Sequence, residues 1–162
     1  MDNWKEIWQS QKQARRKEHQ KLVRKLKTQP AKKINALGGD LHEDVFQQVD
    51  CLECANCCTS IPPIVTRTDV NRISKVLGLK PTEFADTYLR QDEDGDTVMR
   101  QSPCPFLLQD NTCLIYEDRP KACRQYPHTD HQQFAKELKL HATNARYCPA
   151  VFHILERLSA SF

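Results

Sequence analysis

The run Cys51-Leu-Glu-Cys54-Ala-Asn-Cys57-Cys58 constrains this chain more than any other stretch. A two-residue spacer lets two thiolates reach one ion from a tight turn, and here that step is taken twice in succession. Four more cysteines follow, Cys104, Cys113, Cys123 and Cys148, with eight, nine and 24 residues between them. Eight thiols would suit a disulfide framework in a short secreted chain. At 162 residues, and with no apolar h-region at its N-terminus, the chain fits that class poorly. The thiols are therefore expected to be reduced, in the cytoplasm, and to bind metal. The alternative for each remote cysteine is an inert buried thiol, since cysteine is common in protein cores.

The metal expected from this chemistry is Zn2+ or iron. A Cys-x2-Cys-x2-Cys run also opens the cluster site of bacterial ferredoxins, so a 4Fe-4S cluster stays open. Cys104-Pro105 and Cys148-Pro149 supply remote Cys-Pro pairs, but none follows three residues after the run. Neighbouring side chains point in different directions in regular backbone, which makes Cys57 and Cys58 awkward joint ligands of one tetrahedral ion. They are read as serving two centres, either two four-thiolate sites or one cluster and a second metal.

The hydrophobic fraction is only 39%, so the core must be small and metal binding is expected to contribute to folding. No stretch approaches 18 consecutive apolar residues, which excludes a transmembrane helix. The formal charge of +3 hides an uneven distribution. Residues 1–33 carry a net of +8 and residues 34–162 a net of −5. Two parts are expected: a basic helical arm and linker over 1–39, and a cysteine-cluster domain over 40–162.

The arm reads as one helix over 3–28. Trp4, Ile7 and Trp8 form an apolar patch at its start, and Leu22, Val23 and Leu26 another near its end. The polar stretch between them means that such a helix is not buried along its length: it docks at both ends, or only in part. Gly38 and Gly39 read as a flexible break, and Asp40 as the cap of a helix over 40–50. Helices follow over 68–77, 82–90 and 149–159, with a short one after Pro120 and another around 130–142. Residues 61–66 are extended by Pro62 and Pro63. The stretch 105–116 reads as a β-hairpin turning at Gln109–Asn111. The acidic stretch 91–101 lacks calcium-loop spacing and reads as a solvated turn before a short strand. The fold class is α+β, mostly helical, with a short β-hairpin and a basic N-terminal helix.

Several other residues invite chemistry. Arg119 and Arg124 flank Cys123 and can neutralise thiolate charge, or pair with Glu117 or Asp118. Tyr116 and Tyr126 read as packing that shields the cluster from water. His128 and His131 have imidazole-ligand spacing, although surface histidines suit eight available thiols better. Asp69 reads as a helix-start charge rather than a ligand.

Three motifs in order carry a resemblance. The run Cys51–Cys58, then Cys104-Pro105-Phe106-Leu107, then Cys113-Leu-Ile-Tyr116-Glu-Asp-Arg119-Pro120-Lys-Ala-Cys123-Arg124-Gln-Tyr126-Pro127 resemble the YkgJ-type cysteine-cluster family. Cys148-Pro149 matches its final element. The resemblance spans about residues 41–158, and the basic N-terminal helix is similar to that of members from Bacteroidetes-type bacteria. It implies zinc or iron chelation without a settled activity.

Three functions compete. The first is a metal-binding protein whose centre is structural or stores metal. The second is an iron–sulfur protein in electron transfer or in a protein-modifying, lysine methylase-like system. The third is a nucleic-acid accessory protein acting through the arm. A solvated or partner-docking helix is favoured over an arm that binds nucleic acid or acidic lipid, because the arm lacks a periodic base-stacking array. No phosphate-binding glycine loop or nucleophile–base pair is visible.

Overall fold

The computed structural model describes residues 3–130 and 133–162. In chain order the elements are α1 (Trp4–Gln11), α2 (Arg16–Leu26), α3 (Ala31–Phe46), α4 (Cys51–Cys54), α5 (Asn56–Ser60), α6 (Arg67–Val76) and α7 (Pro81–Tyr88). Strands β1 (Leu89–Gln91) and β2 (Thr97–Met99) come next, then a 3-10 turn at Tyr116–Asp118 and α8 (Lys121–Gln125). A second 3-10 turn at Phe134–Lys136, α9 (Leu138–Asn144) and α10 (Pro149–Ala160) complete the chain. This is a mostly helical α+β fold. No helix among the described residues is long and apolar enough to cross a membrane.

Two compact units are present. Residues 1–51 and 127–162 form one, residues 52–126 the other. The first is built on α10, of which Val151, Phe152, Ile154, Leu155 and Leu158 are fully buried. The expected N-terminal helix is broken into α1 and α2 at residues 12–15. Both ends dock, as its apolar patches require. Trp8 Nε1 donates to the Ala145 carbonyl at 2.9 Å, and Leu22, Val23 and Leu26 are buried. The polar middle is also used. Arg15 Nε and His19 Nε2 both meet Glu156 Oε1, at 2.9 and 2.7 Å. His153 Nε2 donates to the Trp4 carbonyl at 2.9 Å.

The expected break at Gly38 and Gly39 does not exist, and Asp40 caps nothing, because α3 runs straight through all three residues. The expected boundary at residue 39 therefore falls inside a helix. Gly38 is buried, and a Cβ placed there would stand 2.5 Å from Cγ of Phe134. Glycine at this position permits a close approach, not a hinge.

The second unit packs around Val65, Ile73, Phe84, Leu89, Met99, Phe106 and Ile115. Its antiparallel hairpin is β1–β2, with Leu89 opposite Met99 and Gln91 opposite Thr97. The acidic turn closes it: Asp92 Oδ1 accepts from the amides of Asp94 and Asp96 at 3.0 and 2.9 Å. The extended residues Pro63–Val65 add to β2 through Val65 N to Thr97 O at 2.8 Å and Met99 N to Pro63 O at 3.1 Å. The stretch 105–116 holds only a single bridge, Leu107 with Cys113, instead of a ladder.

Burial sets a pH dependence in the first unit. It lowers the His19 pKa against the opposing Glu156 contact, with Arg15 lowering it further. It lowers that of His153 against the Trp4 carbonyl and Glu156, with Arg157 on the lowering side. Both histidines thus take up protons more readily unfolded than folded. Stability is expected to fall as pH drops below about 6.5, the ordinary histidine value. Both tryptophans, Trp4 and Trp8, lie in this unit, so their fluorescence melting should report it. A lower midpoint at pH 5.5 than at 7.5, with His19→Gln flattening the difference, is the expected result. Equal midpoints would contradict it.

Candidate metal centre

The second unit places four of the cysteines by short local devices. A continuous helix over Cys51–Cys58 would fan the thiols around its axis. Ala55 interrupts it with a left-handed φ of +46°, separating α4 from α5. That conformation costs a non-glycine residue about 1 kcal/mol or more. Cys58 lies on α5, and its carbonyl accepts the Cys104 amide at 2.8 Å. Ser102 Oγ adds a bond to the Thr59 carbonyl at 3.0 Å. Cys104 and Cys113 then flank a turn held by Leu114 N to Phe106 O at 2.8 Å and Leu108 N to Thr112 O at 2.9 Å. Asn111, with a left-handed φ of +65°, shapes that turn and donates to the Leu52 carbonyl at 2.6 Å. Cys123 sits in α8 behind Pro120.

Backbone amides point at these sulfurs. Those of Phe106 and Leu107 donate to Cys104, and that of Ile115 to Cys113. Such donors stabilise thiolate over thiol. Burial acts the other way and raises the Cys104, Cys113 and Cys123 thiols. Like charge adds to it. Cys58 and Cys113 each raise Cys104, and Cys123 is pushed up to about 12 by burial and then by Cys104, Cys58 and Cys113. Cys58 behaves differently, because a hydrogen bond from Cys57 draws it down to about 7 against its burial. Arg119 supplies the nearby positive charge and lowers both Cys113 and Cys123. The four thiols thus lie within electrostatic reach of one another, one ready to ionise and three held protonated.

The Cys57 and Cys58 sulfurs are 3.9 Å apart. Adjacent residues were expected to point apart, yet this separation matches the edge of a tetrahedron of sulfurs about 2.3 Å from one zinc, about 3.8 Å. Cys54 ends α4 in the same unit, whereas Cys51 and Cys148 belong to the first. Cys51 is exposed, and Cys148 is the residue from which α10 starts. Among the described residues no group of three or more His, Cys, Asp or Glu side chains stands gathered around one ion's position. The donors nevertheless fit a thiophilic cation in kind: sulfurs in mutual repulsion, with amides directed at two of them and a guanidinium nearby.

Other expected site residues land differently. Tyr116, read as a shield for the thiols, is 56% exposed, with the Arg119 guanidinium 3.9 Å over its ring. Arg119 donates to the Tyr116 carbonyl at 2.5 Å, and Asp118 approaches Arg72 at 3.8 Å instead. Arg124 is exposed, and Tyr126 is half-buried. His128 adopts a left-handed φ of +68° in the first unit, and His131 lies outside the described residues. Asp69 does cap α6, in a reciprocal pair with Thr66. Its partner Arg72 was not foreseen, although the i, i+3 spacing of opposite charges was visible.

Thiols on short turns of a small helical scaffold define a cysteine-cluster protein of the metal-chelating kind. The chain belongs to the CxxCxxCC family, described as "Putative zinc- or iron-chelating domain", whose model matches residues 50–149. That span covers more than half of the chain and takes in Cys51 through Cys148. Neither the curated proteins nor the solved structures yield a match.

Proposed function

We propose that this protein chelates zinc in the cytoplasm, through a thiolate centre built on Cys58, Cys104, Cys113 and Cys123. Cys51, Cys54, Cys57 and Cys148 are the further metal ligands in this reading. The observation that supports it is that four thiols from separate turns of one unit raise or repel one another's charge, with backbone amides bonded toward Cys104 and Cys113. A cation offsets both the burial and the like charge that keep three of them protonated, and a cysteine sulfur swings on one rotatable bond to meet it. Bound zinc would supply charge neutralisation and a crosslink between α5, the Cys104–Cys113 turn and α8. The partner in this reading is a protein that docks on the exposed basic residues of α2, such as Lys17 and Arg24.

Anaerobic purification followed by metal, sulfide and visible-spectrum analysis tests it. The expected product is colourless, with zinc bound and no labile sulfide. A brown protein with iron and sulfide would replace zinc with the iron–sulfur reading, which the Cys-x2-Cys-x2-Cys run supports. Absence of both metals, with cysteines paired in disulfides, would overturn chelation.

A further inference from the structure

We infer that Asp69 and Arg72 are positioning residues for the thiol centre, clamping the segment that joins Cys113 to Cys123. The inference rests on the proposal that these thiols hold metal. Asp69 is buried, at 1% exposure, and its two carboxylate oxygens do separate work. Oδ2 accepts from the Thr66 amide and hydroxyl at 2.9 and 2.7 Å, which is all that capping α6 requires. Oδ1 faces away from that cap. It accepts from Arg72 Nη2 at 2.6 Å and from the Lys121 amide at 3.1 Å, across 52 residues of chain.

Arg72 extends the same grip. Its Nε donates to the Asp118 carbonyl at 3.3 Å, and its Nη2 to the carbonyls of Asp118 and Arg119 at 3.2 and 3.0 Å. Together the pair holds Asp118 O, Arg119 O and Lys121 N. Pro120, between them, has no amide to offer.

The segment needs such a clamp because it has no ladder of its own. The 3-10 turn ends at Asp118, and α8 starts at Lys121. Arg119 and Pro120 between them are extended, with ψ of 152° and 148°. On one side the Tyr116 amide donates to the Cys113 carbonyl at 3.2 Å. On the other, Cys123 is the third residue of α8. Movement of residues 118–121 therefore changes the Cys113–Cys123 separation and carries Arg119, whose charge acts on both thiols.

The test uses the full chain with Zn2+ in competition against a chelator, and Co2+ as a spectroscopic probe. Arg72→Lys keeps the charge beside Asp69 and the Thr66 cap, but a lysine lacks the planar fork that spans two carbonyls. It is expected to weaken Zn2+ binding about tenfold, as loss of a ligand-orienting contact does, and to shift the thiolate–Co2+ charge-transfer band. Thr66→Val removes a cap hydroxyl and leaves the clamp, so it should lower the melting temperature without moving affinity or spectrum. Wild-type binding and spectrum reproduced by Arg72→Lys would overturn the inference. So would affinity losses in both variants that follow their melting temperatures, since that is the signature of a cap alone. A wild-type chain that takes up neither metal removes the chelation proposal itself, and the inference with it.

Discussion

Cys123→Ser is expected to lower the zinc affinity of the chain about a hundredfold in a chelator competition. Structural thiolate sites bind zinc with an apparent free energy of about 10–16 kcal/mol. One ligand of four then accounts for about 3 kcal/mol, which is about two decades in affinity. Cys123 is the informative position because burial and three neighbouring sulfurs push its thiol up to about 12. At neutral pH it is protonated, so zinc must displace its proton to bind. Affinity in the wild type should therefore climb as pH rises from 6 to 9. Serine has no thiolate to offer, so the variant should climb less steeply. Equal affinity, or an equal slope, would remove Cys123 from the centre.

The parts of this fold that sequence exposes are those written in local pattern. Thr66 followed three residues later by Asp69 announces the start of α6, and the spacing of Val151, Ile154, Leu155 and Leu158 announces α10. The Cys51–Cys58 run announces metal chemistry for the same reason, because ligand spacing is a short-range property. Which sulfur meets which is not short-range. Cys58 comes within electrostatic reach of Cys104, Cys113 and Cys123 after a turn at Ala55, a residue with no reputation for left-handed backbone. Tyr116 reads as a shield because it is aromatic and near cysteines, yet Arg119 holds it at the surface. His19 shows the opposite error. It lies three, four and seven residues before Leu22, Val23 and Leu26, on the buried face, but its neighbours in sequence are so polar that the face is easily overlooked. The second oxygen of Asp69 is a long-range contact, and nothing in the capping pattern shows it.

The adjacent glycines of α3 should respond to alanine with opposite signs. Gly39→Ala meets nothing within 4 Å and lies in a helix interior, so it is expected to stabilise the first unit by about 0.5–1 kcal/mol through helix propensity alone. Gly38→Ala gains the same propensity but drives its Cβ to within 2.5–2.8 Å of three Phe134 ring carbons. The ring has little room to yield. Phe134 is fully buried, stacks on His141 at 4.1 Å between centroids, and belongs to a turn fastened by Ala135 N to Asn35 Oδ1 at 2.8 Å. Overpacking of this sort costs about 1–3 kcal/mol or more, enough to exceed the propensity gain. Phe134→Ala removes the clash and the packing together and should cost about 3–5 kcal/mol. In the double variant Gly38→Ala/Phe134→Ala the two losses should not add, because the new methyl enters the space that the ring left. Urea unfolding followed by tryptophan fluorescence measures all four proteins. Additive losses, or a stable Gly38→Ala, would mean that Gly38 is a tolerant helix position and that the ring does not rest on it.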